Sequence, residues 1–202
     1  PDAETVDFLR ARGVRMIYEE SYLSDIDEDV IFKSPGIRYD VPELLHAGER
    51  GAVVTSEMEV FCALCPCRIF AVTGSDGKTT TTSIIAEMLR AAGKTVYLGG
   101  NIGHPLLCDA EKMQPEDFAV VELSSFQLLD MKRSPHIAVM TNLAPNHLDV
   151  HKDMDEYVNA KKNVLLHQNA FGRTVLNADN ALTAACAADT RGMTYMLSLI
   201  HI

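Results

Sequence analysis

The sequence has no surplus of basic residues. Its 202 residues carry 18 Lys and Arg against 28 Asp and Glu, a formal net charge of -10. A nucleic-acid or membrane-surface binder wants a basic face, so neither partner class is expected. Anionic small ligands remain open, because metal ions and helix N-termini supply local positive potential. No apolar run approaches the roughly 20 residues of a membrane span, and no signal peptide is read at the start; insertion into a membrane is not expected, and a cytoplasmic location is. The five cysteines include "CALCPC", residues 62–67, but no second ligand pair at similar spacing, as a structural zinc site usually wants. Buried free thiols at a helix-to-strand junction are the better reading. Internal repeats and low-complexity linkers are also missing.

What is present is alternation. Helix-like "ETVDFLRARG" precedes strand-like "VRMIYE", and "EDVIFKSPG" is a strand stopped by Pro35 and Gly36. "VPELLHAGERG" reads as a helix, "AVVTS" as a strand and "EMEVFCALC" as a helix. A second unit opens at Cys67 and Arg68 with the buried-type strand "RIFAVTG". Lys78 to Ala92 is a helix with apolar Ile84, Ile85, Met88 and Leu89, ended by Gly93. Strands "KTVYLGGN", "DFAVVELSS", "HIAVMTNL" and "RTVLNA" and helices "MDEYVNAKKNVLLHQN" and "DNALTAACAAD" follow. The pattern predicts an α/β protein with a mainly parallel sheet. The last six residues, "LSLIHI", follow no periodicity and match an in-frame sequencing-adapter translation, so a non-native tail is expected over 197–202.

Strand, then Gly74-Ser75-Asp76-Gly77-Lys78-Thr79-Thr80, then helix is a phosphate-loop order. A lysine at a helix start opposes the macrodipole unless an anion lies between them. The glycines let backbone N–H groups turn toward phosphate oxygens, Lys78 reaches the β- and γ-phosphates, and Thr79 offers a hydroxyl to Mg²⁺. Val72 stands where the longer form of this loop has its first glycine, so this is the shorter GxxGK[ST] form. Glu122 ends a buried strand, where a carboxylate can hold Mg²⁺ beside the loop or simply face solvent. "TNLAPNHLDVH" brings Asn142, His147 and Asp149 to the same edge; alone, a loop histidine is more often structural. By spacing alone, Lys161 and Lys162 in "YVNAKK" are a solvated helix face.

Taken together, "SPGI" (34–37), "VTGSDGKTT" (72–80), "GGNIG" (99–103), "VVELSSFQL" (120–128), "TNLAPNHLDVH" (141–151), "YVNAKKN" (157–163) and "LNADNALT" (176–183) resemble the Mur ligases of peptidoglycan synthesis. The loop and the NHLD element are shared across these ligases and the folylpolyglutamate synthetases. "SPGI" and "ELSSFQL" point to the D-glutamate-adding branch. The resemblance implies a partial Rossmann-like UDP-substrate unit over 1–66 and an incomplete phosphate-loop-type central domain over 67–196. The start of the first domain and a whole C-terminal domain would lie outside the sequence.

It also implies ATP-dependent amide formation: ATP phosphorylates the carboxylate of UDP-N-acetylmuramoyl-L-alanine, and the D-glutamate amine attacks the acyl phosphate. Gly74, Ser75, Asp76, Gly77, Lys78, Thr79 and Thr80 would bind ATP, with Lys78, His147 and Lys161 catalytic. Thr79 and Glu122 would hold one Mg²⁺. His147 and a carbamylated Lys161 would support a second; the family spacing from the tyrosine selects Lys161 over Lys162. Ser34, Gly36, Asn101 and His147 would contact the UDP-sugar substrate. A monomer is expected at full length, and this stretch alone is expected to be inactive. The rival readings are another ligase of the superfamily, adding diaminopimelate, lysine or folate-linked glutamate, and a catalytically silent nucleotide-binding protein.

Overall fold

The computed structural model describes residues 2–18, 22–145 and 151–198. Contacts divide the chain into two compact units: Pro1–Ile31 with Asp40–Val54, and Phe32–Tyr39 with Thr55–Ile202. In the first, α1 (Ala3–Ala11) starts at Asp2, whose carboxylate accepts from Thr5 N, and gives way to left-handed Gly13. α2 (Pro42–Glu49) opens with proline at its first position and buries Leu44 and Ala47. β1 (Val30–Phe32) and β2 (Val53–Thr55) pair as a two-stranded sheet. The strand expected over 14–19 is not formed at Val14 to Tyr18. These residues find no ladder partner in either described sheet, and Val14, Ile17 and Tyr18 stay exposed.

The second unit begins its main run with α3 (Glu57–Leu64), capped by the Ser56 hydroxyl. Then come β3 (Arg68–Thr73), α4 (Lys78–Ala91), β4 (Val96–Gly100) and a 3₁₀ turn at Leu107–Lys112. β5 (Phe118–Glu122) leads into α5 (Ser125–Leu128), where Ser124 and Gln127 form a capping box. β6 (Ile137–Met140), α6 (Met154–Leu166), β7 (Arg173–Asn177), α7 (Ala181–Ala185), a 3₁₀ turn at Cys186–Asp189 and β8 (Met193–Leu197) complete it.

These strands form one parallel sheet in the order β4-β5-β3-β6-β7-β8. Covered on both faces, the central strands run almost wholly apolar: Ile69, Ala71 and Val72, Ala119 to Val121, and Ala138 and Met140 are buried. β3 sits between β5 and β6, so the chain departs to opposite sides of it. That switch point opens a crevice beyond the strands' carboxyl ends.

Two features lie beyond what the sequence reading stated. α4 buries Thr82 and Ala86, whereas Ile84 and Met88 are 53% and 67% exposed. Small residues let the helix lie close to the sheet; of the larger apolar residues Ile84 and Met88 face away, while Ile85 and Leu89 are half-buried. β8 was not expected as a strand, yet it pairs with β7 from Met193 to Leu197. Leu197 O accepts from Ala178 N, and Ser198 Oγ donates to Asp179 Oδ1. The first two residues of the expected tail therefore continue the fold, and 199–202 lie outside the described residues.

Candidate functional site

The loop from Thr73 to Lys78 leaves the central strand β3 and feeds directly into α4. Gly74 (φ 148°) passes so close to β6 that a Cβ there would collide with Thr141 Oγ1. Gly77, left-handed at φ 75°, is the N-cap of α4 and offers no side-chain cap. The first turn of this 14-residue helix contains no acidic residue. Its N–H groups and dipole thus face the crevice uncompensated, the arrangement that suits a phosphate.

Long-range contacts from four residues hold the loop. Asn142 Oδ1 accepts from Ser75 N (3.1 Å) and Asp76 N (2.8 Å), and Asn142 O accepts from Ser75 N (2.9 Å). Ser75 Oγ hydrogen-bonds with the Tyr157 hydroxyl at 2.9 Å and meets Ala144 N and O at 2.9 Å each. Thr141 Oγ1 donates to Asp76 O at 2.6 Å. Spacing marked Asn142 only as a residue at this edge; nothing local marked Tyr157 or Thr141 as loop supports.

Lys78 Nζ folds back on the loop, donating to Gly74 O (3.1 Å) and Ser75 O (2.9 Å). Lys161, 2% exposed on α6, donates to Gly74 O at 2.9 Å and lies 4.8 Å from the Tyr157 ring centroid. Burial, with the nearby Lys78 charge adding to it, pulls the Lys161 pKa down to about 7, against a smaller opposing pull from Glu122. Lys162 points elsewhere, pairing with Asp189 at 2.8 Å.

Glu122, at the end of β5 and 2% exposed, accepts from Thr79 Oγ1 (2.7 Å) and from Asn101 Nδ2 (2.9 Å). Asn101 N also donates to Glu122 O, an approach close enough that a Cβ at Gly100 would strike the same carbonyl. A hydroxyl and a carboxylate side by side are hard oxygen donors of the kind Mg²⁺ takes beside phosphates. The donor set therefore fits that ion, and the loop fits its phosphates. Asn101, expected at the substrate, here turns to Glu122, and Thr80 is exposed at the helix start. His147 and Asp149 lie outside the described residues.

The segment carrying Ser34 and Gly36 is fixed by its neighbours. Ser34 O accepts from Ile37 N at 3.0 Å; Lys33 Nζ donates to Ile37 O at 3.0 Å and pairs with Asp130 at 3.4 Å. Arg38 grips Glu156 with two nitrogens, at 2.8 and 3.1 Å, and this pairing holds the Glu156 pKa down at about 2. Ser34 and Gly36 themselves are exposed. Among the described residues no hydrogen bond joins them to the phosphate-type loop. Buried His151, not singled out from the sequence, hydrogen-bonds Ser125 Oγ at 2.9 Å, stacks on Phe126 and meets Tyr157 edge-on. It backs the tyrosine that supports Ser75.

Comparisons with known proteins bear on the family and the fold. Residues 72–198 match the family model described as the Mur ligase middle domain. The chain is 52% identical over 189 residues to UDP-N-acetylmuramoylalanine--D-glutamate ligase of Acetivibrio thermocellus, covering 93% of this chain and 41% of that protein. The enzyme of the same name from Clostridium kluyveri is 47% identical over 192 residues, covering 95% of this chain and 42% of its own length. The chain thus spans about two fifths of these curated relatives.

Among solved structures, the UDP-N-acetylmuramate:L-alanyl-gamma-D-glutamyl-meso-diaminopimelate ligase from Neisseria meningitides superposes with a TM-score of 0.61 at 18% identity. That match covers 97% of this chain and 67% of the other. MurF from Acinetobacter baumannii gives 0.55 at 16% identity, covering 83% and 44%. At such identities these two report on the fold alone. With the middle-domain model matched over more than half its length, the chain belongs to the Mur ligase family.

Proposed function

We propose that the whole protein joins D-glutamate to UDP-N-acetylmuramoyl-L-alanine at the expense of ATP, through an acyl phosphate, in peptidoglycan synthesis. The observation that carries this is the Lys78, Thr79 and Glu122 constellation at the uncapped start of α4, read with the names of relatives about half identical to the chain. Residues 1–66 are assigned to part of the UDP-substrate domain and 67–196 to part of the ATP-binding domain.

A carboxylate is a poor electrophile, and its phosphorylation brings two anions together, so neutralising charge is the main catalytic requirement. Lys78 supplies a mobile cation whose present partners are two loop carbonyls, which it exchanges for phosphate oxygens. Gly77 to Thr80, at the start of α4, present their N–H groups to the β- and γ-phosphates, while Asn142 holds Ser75 N and Asp76 N in the loop that leads to them. Thr79 and Glu122 hold the metal; Mg²⁺, when bound, polarises the phosphoryl oxygens and offsets their charge.

Lys161, with an amine that is neutral in a large fraction of molecules near pH 7, is suited to attack carbon dioxide and lose a proton. The carbamate would convert a cation into an anion able to support a second metal, for which His147 is assigned as the other ligand. Ser34, Gly36 and Asn101 are assigned to the UDP-sugar side. A monomer in the cytoplasm is part of the same proposal; among the described residues no helix is long and apolar enough to cross a membrane.

The test is to supply the full-length protein with ATP, Mg²⁺, UDP-N-acetylmuramoyl-L-alanine and D-glutamate. Phosphate release should require both acceptor substrates and should match amide product identified by mass. Turnover only with diaminopimelate or lysine as the amine on an acceptor already carrying D-glutamate, or only with a folate as the carboxylate and glutamate as the amine, would assign a sister activity instead. Nucleotide binding without phosphate release under any acceptor would mark a silent binding protein.

A further inference from the structure

The CALCPC segment lies at the opposite end of β3 from the phosphate-type loop and takes no part in the chemistry above. Cys65 is the C-cap of α3, and Cys67 immediately precedes β3. The intervening Pro66 fixes an extended connection, so both side chains emerge on one side. Cys65 Sγ and Cys67 Sγ are 3.3 Å apart, and Met113 Sδ lies 3.8 Å from Cys65. Their accessibility differs. Cys67 is buried at 1% exposure, whereas Cys65 is partly exposed between exposed Leu64 and Pro66. Among the described residues Cys62, in the preceding helical turn, makes no sulfur contact with either.

We propose that Cys65 and Cys67 form an oxidisable dithiol, a modification site in which Cys65 meets a small hydroperoxide and Cys67 closes the disulfide. The Cys65 thiolate attacks one peroxide oxygen, the O–O bond breaks, and the leaving oxygen departs as water, or as an alcohol from an organic peroxide, after taking a proton. Cys65 is then a sulfenic acid. Cys67 sulfur attacks the Cys65 sulfur, the S–O bond breaks, and the hydroxyl leaves as water with the Cys67 proton. One peroxide is reduced by two electrons, and the two thiols lose two hydrogens. The hydrogen bond from Cys67, outweighing burial, holds the Cys65 thiol below its ordinary value, while the same contact and burial raise Cys67. Cys62 is pushed up to about 12, chiefly by burial, which leaves it unreactive. The three thiols of the segment are thereby divided into attacker, resolver and bystander.

Peptide mapping decides this. The protein is treated with hydrogen peroxide, blocked with N-ethylmaleimide, and cut with trypsin and chymotrypsin. Cleavage after Leu64 and Arg68 separates Cys62 from a Cys65–Arg68 peptide. That peptide should be two hydrogens lighter, free of maleimide, and restored by dithiothreitol. In Cys67→Ser, Cys65 should stop at a sulfenic acid trapped by dimedone. In Cys65→Ser, oxidation of Cys67 should slow by about tenfold or more; a thermal melt matching the wild type shows that the fold is kept. Two maleimides on the peptide after oxidation, a bridge from Cys65 to Cys62 or to another chain, or unchanged Cys67 oxidation in Cys65→Ser would overturn the proposal.

Discussion

Lys161 brings an ammonium to the underside of the loop with 2% of its surface exposed, and this has a measurable thermodynamic consequence. Its pKa falls from an ordinary 10.5 to about 7, mainly through burial. Below pH 7 both the folded and unfolded chains carry the charge, so the folded state bears the full cost of burying it. Between pH 7 and 10.5 the unfolded chain binds more protons, and the contribution of this group to stability rises with pH. Lys161→Met removes the charge and should be most favourable at low pH. The wild type should regain ground as pH rises from 6 to 10, by a difference on the order of a few kcal/mol. Urea melts of both proteins in carbon-dioxide-free buffer measure it; a difference independent of pH would contradict the burial. The same neutral amine should take up carbon dioxide when bicarbonate is supplied. Native mass spectrometry at neutral pH should show the adduct in the wild type and not in Lys161→Met.

At the scale of elements, the loop and the helix it starts are held by contacts of different severity. Gly77→Ala meets open space but must keep a left-handed backbone, costing about 1–2 kcal/mol. Gly74→Ala adds a collision with Thr141 Oγ1 and a 3.1 Å approach to Asn142 O, so about 2–5 kcal/mol is expected. Thermal melts should rank Gly74→Ala as clearly the more damaging; equal losses would show that the loop does not sit so tightly on β6. The start of α6 carries an acid-sensitive clamp. Glu156, held at about 2 by Arg38, stabilises the fold above its ordinary 4.5 and loses that contribution as pH falls toward 2. Glu156→Gln should cost about 1.5–3 kcal/mol near pH 6 and little near pH 2, read from denaturant midpoints across that range. The legible elements were those with local signals. The glycines and Lys78 of the loop, the apolar run of β3 and Gly93 beyond α4 all act on their immediate neighbours. β8 escaped notice because an edge strand needs only one partner and leaves Met193, Tyr195, Met196 and Leu197 exposed, so no buried face imposes a pattern.

Across the whole molecule, the unread part of the site is the part built by contacts distant in sequence. Asn142 reaches Asp76 across 66 residues, and Tyr157 reaches Ser75 across 82. Neither pairing leaves a local trace: Asn142 arrives only once the parallel order places β6 beside β3, and Tyr157 only once α6 packs against β3. The pairing of Glu122 with Thr79 has the same origin: β5 lies on the other side of β3, so its carboxyl end arrives beside the loop. The fold thereby gathers two lysines and a helix N-terminus at one edge of a chain whose net charge is -10. The direct test is calorimetric titration of the protein with a non-hydrolysable ATP analogue, with and without Mg²⁺. Wild type should bind in a Mg²⁺-dependent manner, and Lys78→Ala should bind at least about tenfold more weakly, roughly 1.4 kcal/mol, with an unchanged far-ultraviolet spectrum. Equal affinity in Lys78→Ala, or wild-type binding indifferent to Mg²⁺, would contradict a phosphate-and-metal site at the start of α4.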